Sequence, residues 1–315
     1  MTDHDILERS SEIIKHEKFC SSVAEYCHSA VAPSEIVWPV HKMLNQAGRY
    51  LVSFMLVHND YAQRRHGGPR PTLTALQATV GSSPRQTAAF VATLKAARLV
   101  GVETDPDDGR VKHLRATPAL VTEIGRSARL FVAAMDFLAA RCPGRARALE
   151  HPDRLGDLIC RSAAHVLRHG MLTDPFPRIF RLTGRDCGYP LLTAIVGAHY
   201  AAAVSDAPAP LPLSLRGLAD RLGVSRAHVG NLLREADEAG WFRTGDRRLT
   251  HLDPSLLEEF ELWAACQMIF YDDLAGEICA EASVEAGVEA AEPPERAGLA
   301  CVPAVPEIPT GSAAP

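Results

Sequence analysis

Apolar residues recur at helical spacing along most of this chain. From Asp5 to Val31 they predict a helix, and the Pro33 to Pro39 stretch interrupts it. The run LNQAGRYLVSFMLVHNDYAQ from Leu44 predicts a long helix that stops at the Arg64-Arg65-His66-Gly67-Gly68-Pro69 loop. Residues 72–100 and 214–242 then align with each other without a gap at a shift of 142 residues. Each stretch predicts two short helices around a tight turn, a helix-turn-helix. Strand-turn-strand patterns follow both, with arginines at or beside the turn.

After the first of these patterns, Pro118 opens a helix in which Ile124, Ala128, Phe131, Met135 and Leu138 recur at spacings of four and three. That is the seam of a helix packed on another. Cys142-Pro143-Gly144 ends it, and residues 145–170 predict one further helix. The Pro- and Gly-containing stretch 171–190 reads as a linker. The order of elements then restarts. Leu191 to Val204 repeats the long helix, Ala207-Pro208-Ala209-Pro210 repeats the loop, and Pro254 again opens a helix after the second hairpin. The helix from Ser255 to about Ala280 is apolar nearly all round at Leu262 to Cys266, which predicts burial between lobes or subunits.

The expected fold is therefore mainly α: two winged helix-turn-helix lobes, each with a small β-hairpin wing, joined by long helices. The division reads as an N-terminal helical segment (1–40), a first lobe with its post-wing helices (41–170), the linker (171–190), a second lobe (191–282) and a disordered acidic, Pro/Ala-rich tail (283–315).

A helix-turn-helix needs a small residue where its helices cross, a turn residue that tolerates a left-handed backbone, and apolar pins. The second copy supplies Ala219 as the small residue, Gly223 as the turn, and Leu218, Leu222, Val224, Val229 and Leu232 as pins. Ser225 can cap the second helix. The outward positions are Arg226, Ala227, Gly230, Asn231 and Arg234, of which Arg226 and Asn231 suit base edges and Arg234 suits phosphate. The first copy keeps Leu76, Val80 and Gly81, with Ser83 as cap and Pro84 at the first helical position. It has Gln77 in place of the small residue, and only Arg85 and Gln86 on its outward face offer base-reading chemistry.

The first hairpin reads as strand Val100 to Thr104, turn Asp105 to Arg110, and return strand Val111 to Arg115. With the helix pair before it, this resembles the MarR family of bacterial regulators, whose wing holds a D-x-R-D-x-R pattern. Asp105, Asp108 and Arg110 match that pattern, and Asp107 stands where the family has arginine. The resemblance covers residues 44–140 and, more loosely, 190–280. It implies a minor-groove role for Arg110 and, in the second wing, the same role for Arg247 and Arg248. It also implies a small-molecule effector. Two such lobes on one chain are not typical of the family, whose members usually dimerise as single-lobe chains.

Composition sharpens this in one respect. The formal net charge is −5, yet residues 276–315 carry seven glutamates and one arginine, which leaves +1 for residues 1–275. Affinity for DNA would have to come from local clusters, such as the seven arginines against five acids in residues 213–252. The eight cysteines are scattered without a C-x-x-C pair, as in a reduced, cytoplasmic protein, and no apolar window reaches membrane-spanning length. His165 and His169 have a metal-compatible spacing, and Cys20 and Cys27 share a helix face, but packing and structural thiols are the better readings. Glutamates at 277, 281, 285 and 289 place like charges on one helix stripe.

No nucleophile elbow, phosphate loop or paired-carboxylate motif is present, so neither an enzyme nor a cofactor nor a metal is expected. The expected function is a sequence-specific transcriptional regulator acting as a single-chain pseudo-dimer on double-stranded DNA, with an effector and self-association as further partner calls. Two other readings fit the same pattern: a tandem winged-helix replication initiator, and a winged-helix protein-interaction module that binds no DNA.

Overall fold

The computed structural model describes residues 3–32, 44–170, 175–204, 215–245 and 248–291. It is mainly α-helical, with two small antiparallel two-stranded sheets. Residues Met1–Cys279 form one compact unit, and residues from Ala280 onward are separate from it.

The predicted N-terminal helix is in fact two, α1 (Asp3–Ile14) and α2 (Phe19–Ala30). The break falls on the polar run Lys15 to Lys18, where the His16 ring takes the Lys18 N–H at 3.1 Å in competition with the helix ladder. Next come α3 (Ala47–His66), α4 (Leu73–Thr79), α5 (Pro84–Ala96), β1 (Val100–Thr104), β2 (Lys112–Ala116) and α6 (Pro118–Leu138). Gly67, in the left-handed region at φ 61°, stops α3. The single helix expected over 145–170 is split into α7 (Arg145–Ala148) and α8 (Pro152–His169). Pro152 lacks an N–H and so opens a new helix rather than continuing the old one.

The stretch 171–190 carries a helix, α9 (Pro177–Thr183), and Phe176, Ile179, Leu182 and Cys187 from it are buried. The second half continues with α10 (Gly188–Val204), α11 (Leu215–Leu222), α12 (Arg226–Glu238), β3 (Phe242–Gly245), β4 (Arg248–Leu252) and α13 (Pro254–Ala291). Helix α13 takes in the first nine residues of the predicted tail, and residues 292–315 lie outside the described ones. The starts of α4, α5 and β1 at Leu73, Pro84 and Val100 have counterparts at Leu215, Arg226 and Phe242, an offset of 142 each time.

Two apolar clusters form the core, and neither is made by one half alone. The first gathers α3, α4, α5, the β1–β2 hairpin, the start of α6 and α8, and it also takes Leu274, Ala275 and Ile278 from α13. The second gathers α2, α9, α10, α11, α12 and the start of α13, and it also takes Phe131, Ala134 and Leu138 from α6. Each post-hairpin helix thus begins in its own half and ends in the core of the other. In parallel, α8 packs on α3 and α2 packs on α10. A Cβ at Gly156 would run into the Tyr61 ring, so glycine there lets α8 approach α3.

Charged groups fix where the crossing helices stop. Asp272 is almost fully buried and accepts two bonds from Arg141, at 2.6 and 2.8 Å, and one from Arg145 at 2.8 Å. Asp136 takes Arg141 at 2.9 Å and the Ala146 N–H at 2.8 Å. The Asp272 bonds hold the Arg141 guanidinium pKa above its ordinary value. Arg9 of α1 forms a fork on the neighbouring Asp273, at 2.6 and 2.8 Å.

The first hairpin has two carboxylate anchors. Asp60 of α3, fully buried, accepts from Arg64, Arg115 and the Ala116 N–H at 2.9–3.0 Å, and so ties β2 to α3. Asp105 accepts the N–H groups of Asp107 and Asp108, both at 2.9 Å. Arg70 lies 3.2 Å and the His113 ring 3.1 Å from its other oxygen, the latter at ion-pair distance without hydrogen-bond alignment. The Asp108 N–H bond is the main reason the Asp105 carboxyl is held below the usual carboxylate range.

The turns that leave α5 and α12 are closed in the same way. Leu99 N–H reaches Leu94 O and Trp241 N–H reaches Ala236 O, both at 2.9 Å, around a left-handed residue. In the second half that residue is Gly240, at φ 73°, whereas in the first it is Arg98, at φ 57°.

Three outcomes follow from these contacts. Arg98→Gly should stabilise the protein by about 0.5–1 kcal/mol, because glycine carries no Cβ penalty in the left-handed region, and urea unfolding measures this. Asp272→Ala, which strands two partly buried guanidinium groups, should cost roughly 3 kcal/mol. It should lower a single unfolding transition, since both cores share the crossing helices; separate melting of one half would contradict that shared construction. Asp105 has a depressed folded-state pKa, so its contribution is present above the ordinary carboxylate pKa and is lost as pH falls through the folded value. Amide exchange at Asp107 and Asp108 should therefore quicken at low pH in the wild type and lose that pH dependence in Asp105→Asn.

Candidate nucleic-acid interface

The second helix pair forms as its residues dictate. Gly223 adopts φ 64° and lets the Val224 N–H bond back to Ala219 O at 3.0 Å. Leu218, Ala219, Leu222, Val229 and Leu232 are buried, and Val224 is half-buried against them. Ser225 caps α12, its hydroxyl accepting the His228 N–H at 3.1 Å.

In the first pair, Ser83 caps α5 through the Gln86 N–H at 3.3 Å, with Pro84 in the first turn. Here the turn departs from expectation. Gly81 stays out of the left-handed region, and α4 ends at Thr79, one residue before the point matching the end of α11. Gln77, which stands in the place of Ala219, explains the departure. Its side chain crosses the gap and donates to Pro84 O at 2.8 Å, so a polar strut separates helices that the second pair packs directly.

The outward faces differ in what they offer. On α12, Arg226, Asn231 and Arg234 are all exposed. Arg234 Nη2 donates to the Asn231 Oδ1 at 3.0 Å, so these two are paired with each other. Arg226 has no side-chain partner among the described residues. Its neighbours do have partners: Arg216 lies 3.6 Å from Asp220, Arg185 clamps Glu235 at 2.7 Å, and Arg243 is bonded to Asp237. The Arg185 bond holds Glu235 below the usual carboxylate range, so this acid stays charged close to the helix.

On α5, the positions matching Arg226, Asn231 and Arg234 are Pro84, Ala89 and Ala92. The polar residues that remain there are Arg85 and Gln86, both exposed, with the Arg85 side chain unpartnered among the described residues. Beside them runs a groove of about 460 Å³ between α3 and α5, lined by Gln46, Arg49, Ser82, Gln86 and Thr93. Arg49, whose guanidinium lies 5.7 Å from the Phe90 ring, was not singled out in the sequence because it belongs to a helix far from the motif.

In the first hairpin Arg110 sits at the exposed turn, its N–H bonded to Asp108 and its side chain without a partner among the described residues. In the second hairpin, Arg248 starts β4, while Arg247 lies outside the described residues. The structure thus gathers Arg226, Asn231 and Arg234 on one helix face and Arg85 with Gln86 on another.

The described residues contain no group of three His, Cys, Asp or Glu side chains able to hold a metal, and no described helix is long and apolar enough to cross a membrane. His165 and His169 have ring centres 4.7 Å apart, and the His165 ring meets Phe270 edge-on at 5.1 Å. No protein-family model, curated protein or solved structure matches this chain.

Proposed function

We propose that this protein is a sequence-specific double-stranded DNA-binding transcriptional regulator, with two unlike winged helix-turn-helix lobes on one chain. The observation that carries this reading is Arg226. It is an exposed, uncompensated cation in the first turn of a Ser-capped helix, on one face with Asn231 and Arg234. An arginine and an asparagine at such positions have the donor and acceptor geometry to read guanine and adenine edges in a major groove. The neighbouring arginines are already neutralised by carboxylates, which leaves Arg226 as the group with an unused charge.

In this reading α12 is the principal reader and α5 a weaker one. Arg85 and Gln86 are the polar groups α5 can offer, and alanines occupy the positions that carry Asn231 and Arg234 in α12. Arg110, at the tip of a hairpin braced by Asp60 and Asp105, holds the backbone or minor groove. Arg247 and Arg248 have the same role in the second hairpin. The preferred DNA site would then be asymmetric, with one half-site specified strongly and the other loosely.

Selection of DNA from a random pool with the purified protein tests this. An enriched site with one well-defined and one degenerate half is expected, and failure to enrich any sequence would sink the proposal. On the selected site, Arg226→Ala should weaken binding by about 1–3 kcal/mol and relax one base position. Arg110→Ala should instead weaken binding to all sequences alike and reduce the salt dependence by about one counterion.

A further inference from the structure

Between the two halves lies a cavity of about 690 Å³. Corresponding elements of both halves line it: the starts of α3 and α10, the middles of α6 and α13, and the ends of α2 and α8. Its size falls within the range of small-molecule sites, about 300–1,000 Å³. Aromatic rings supply much of the wall, among them Phe54, Phe131, Phe180, Tyr189, Trp263 and Phe270. They are set edge to face, with Phe131 and Trp263 centroids 5.6 Å apart and Tyr189 and Trp263 5.9 Å apart. Such an arrangement presents ring faces and edges together, which suits a flat aromatic guest better than a flexible chain.

The polar groups of the wall converge at one place. Ser127 bonds to the Tyr26 hydroxyl at 2.8 Å and the Tyr189 hydroxyl at 2.9 Å, and the two tyrosine hydroxyls also meet each other. Burial pushes the Tyr189 phenol pKa up, so the cluster stays neutral. Each oxygen keeps acceptor capacity beyond these bonds, enough to receive one O–H or N–H from a guest. Arg126, also in the wall, spends Nη2 on the carbonyls of Ser29 and Ala32, both at 2.8 Å. The cavity therefore favours an uncharged guest with one donor.

One wall of the cavity is also a junction. Thr183 and Gly184 line it, and the residues that follow reach into both halves. Asp186 accepts from Gln46 at 3.2 Å, and the Cys187 N–H donates to Asn45 O at 3.3 Å, which fixes the start of α3. On the other side, His228 Nε2–H donates to Asp186 O at 2.9 Å and Arg185 clamps Glu235, so the same turn holds α12. Just upstream, Arg181 lies 5.1 Å over the Trp241 ring at the start of the second hairpin.

We propose that this cavity binds a flat, uncharged molecule of two to four fused aromatic rings bearing one hydroxyl or ring N–H, and that its occupancy reaches both helix pairs through the turn Gly184–Cys187. The binding half stands on the cavity alone; the regulatory meaning of the second half rests on the DNA-reading proposal.

Calorimetric titration of the full chain with 2-naphthol tests the first half, with 1-decanol as a probe of equal carbon and hydroxyl count. Saturable naphthol binding, at least tenfold tighter than decanol, is expected. Val166→Trp on α8 and Thr183→Trp on α9 fill the cavity from different walls, and each should lower naphthol affinity at least tenfold with an unchanged melting temperature. Absence of saturable binding, equal affinity for decanol, or wild-type affinity in folded forms of both variants would overturn the site.

Amide hydrogen exchange on the same samples tests the second half without DNA. Naphthol should slow exchange at residues 184–187 and over His228 to Leu232. Binding with unchanged exchange there overturns the transmission. A protein that binds naphthol but enriches no DNA would instead leave the site standing and refute the DNA reading.

Discussion

The structure depends on an exchange. Helices α6 and α13 each leave the half in which they start and finish in the core of the other. Phe131, Ala134 and Leu138 are lost surface for the first half and filled volume for the second, and Leu274, Ala275 and Ile278 do the reverse. Apolar burial is the main favourable term in folding, so neither half has a complete core without its partner's helix. The charged cluster around Asp272 complements this. Apolar packing alone tolerates sliding of one helix along another, whereas a carboxylate held by two arginines fixes the register at which α13 enters the first half.

Given a shared core, the surfaces of the two halves have been free to diverge, and they have done so in opposite senses. The first half has the braced hairpin: Asp60 joins α3 to β2 through Arg115. The offset position in the second half is Ala202, and His251 stands at the hairpin register of Arg115, so that brace has no counterpart there. The second half has the better-equipped helix, α12, and the direct helix crossing that Ala219 permits. Gln77 marks the same divergence at the other crossing, where a hydrogen bond replaces close packing. Reading strength and hairpin rigidity are therefore divided between the halves rather than duplicated.

Much of this was legible in the chain because it is local. A serine before an amphipathic run, a glycine at the turn, a proline at a first helical position and a hairpin bounded by Asp and Gly act within a few residues, and the offset of 142 multiplied their weight. The errors were also local where two signals competed: His16 and Pro152 break helices that periodicity alone would continue, and Gly81 does not use its conformational freedom because Gln77 reshapes the turn. What stayed hidden was long-range. Nothing in the pattern tells that α13 ends among residues of the first half, or that Asp186 joins Gln46 to His228. The state of each arginine was hidden for the same reason. Of the cations near α12, Arg185, Arg216 and Arg243 are paired with acids, and only folding reveals that Arg226 is not.

The crossed helices also set how the molecule behaves on dilution. Where two half-complete cores belong to separate chains, the folded state is a bimolecular assembly whose population depends on concentration, and subunits can be traded with related chains. Here the missing piece of each core is covalently tethered, so completing the two cores is unimolecular. A handful of molecules in a cell would be as fully folded as a concentrated solution, and no related protein could insert a foreign half. The unlike helix faces of the two halves stay permanently matched, a fixed pairing that an exchanging dimer of single-unit chains could not guarantee.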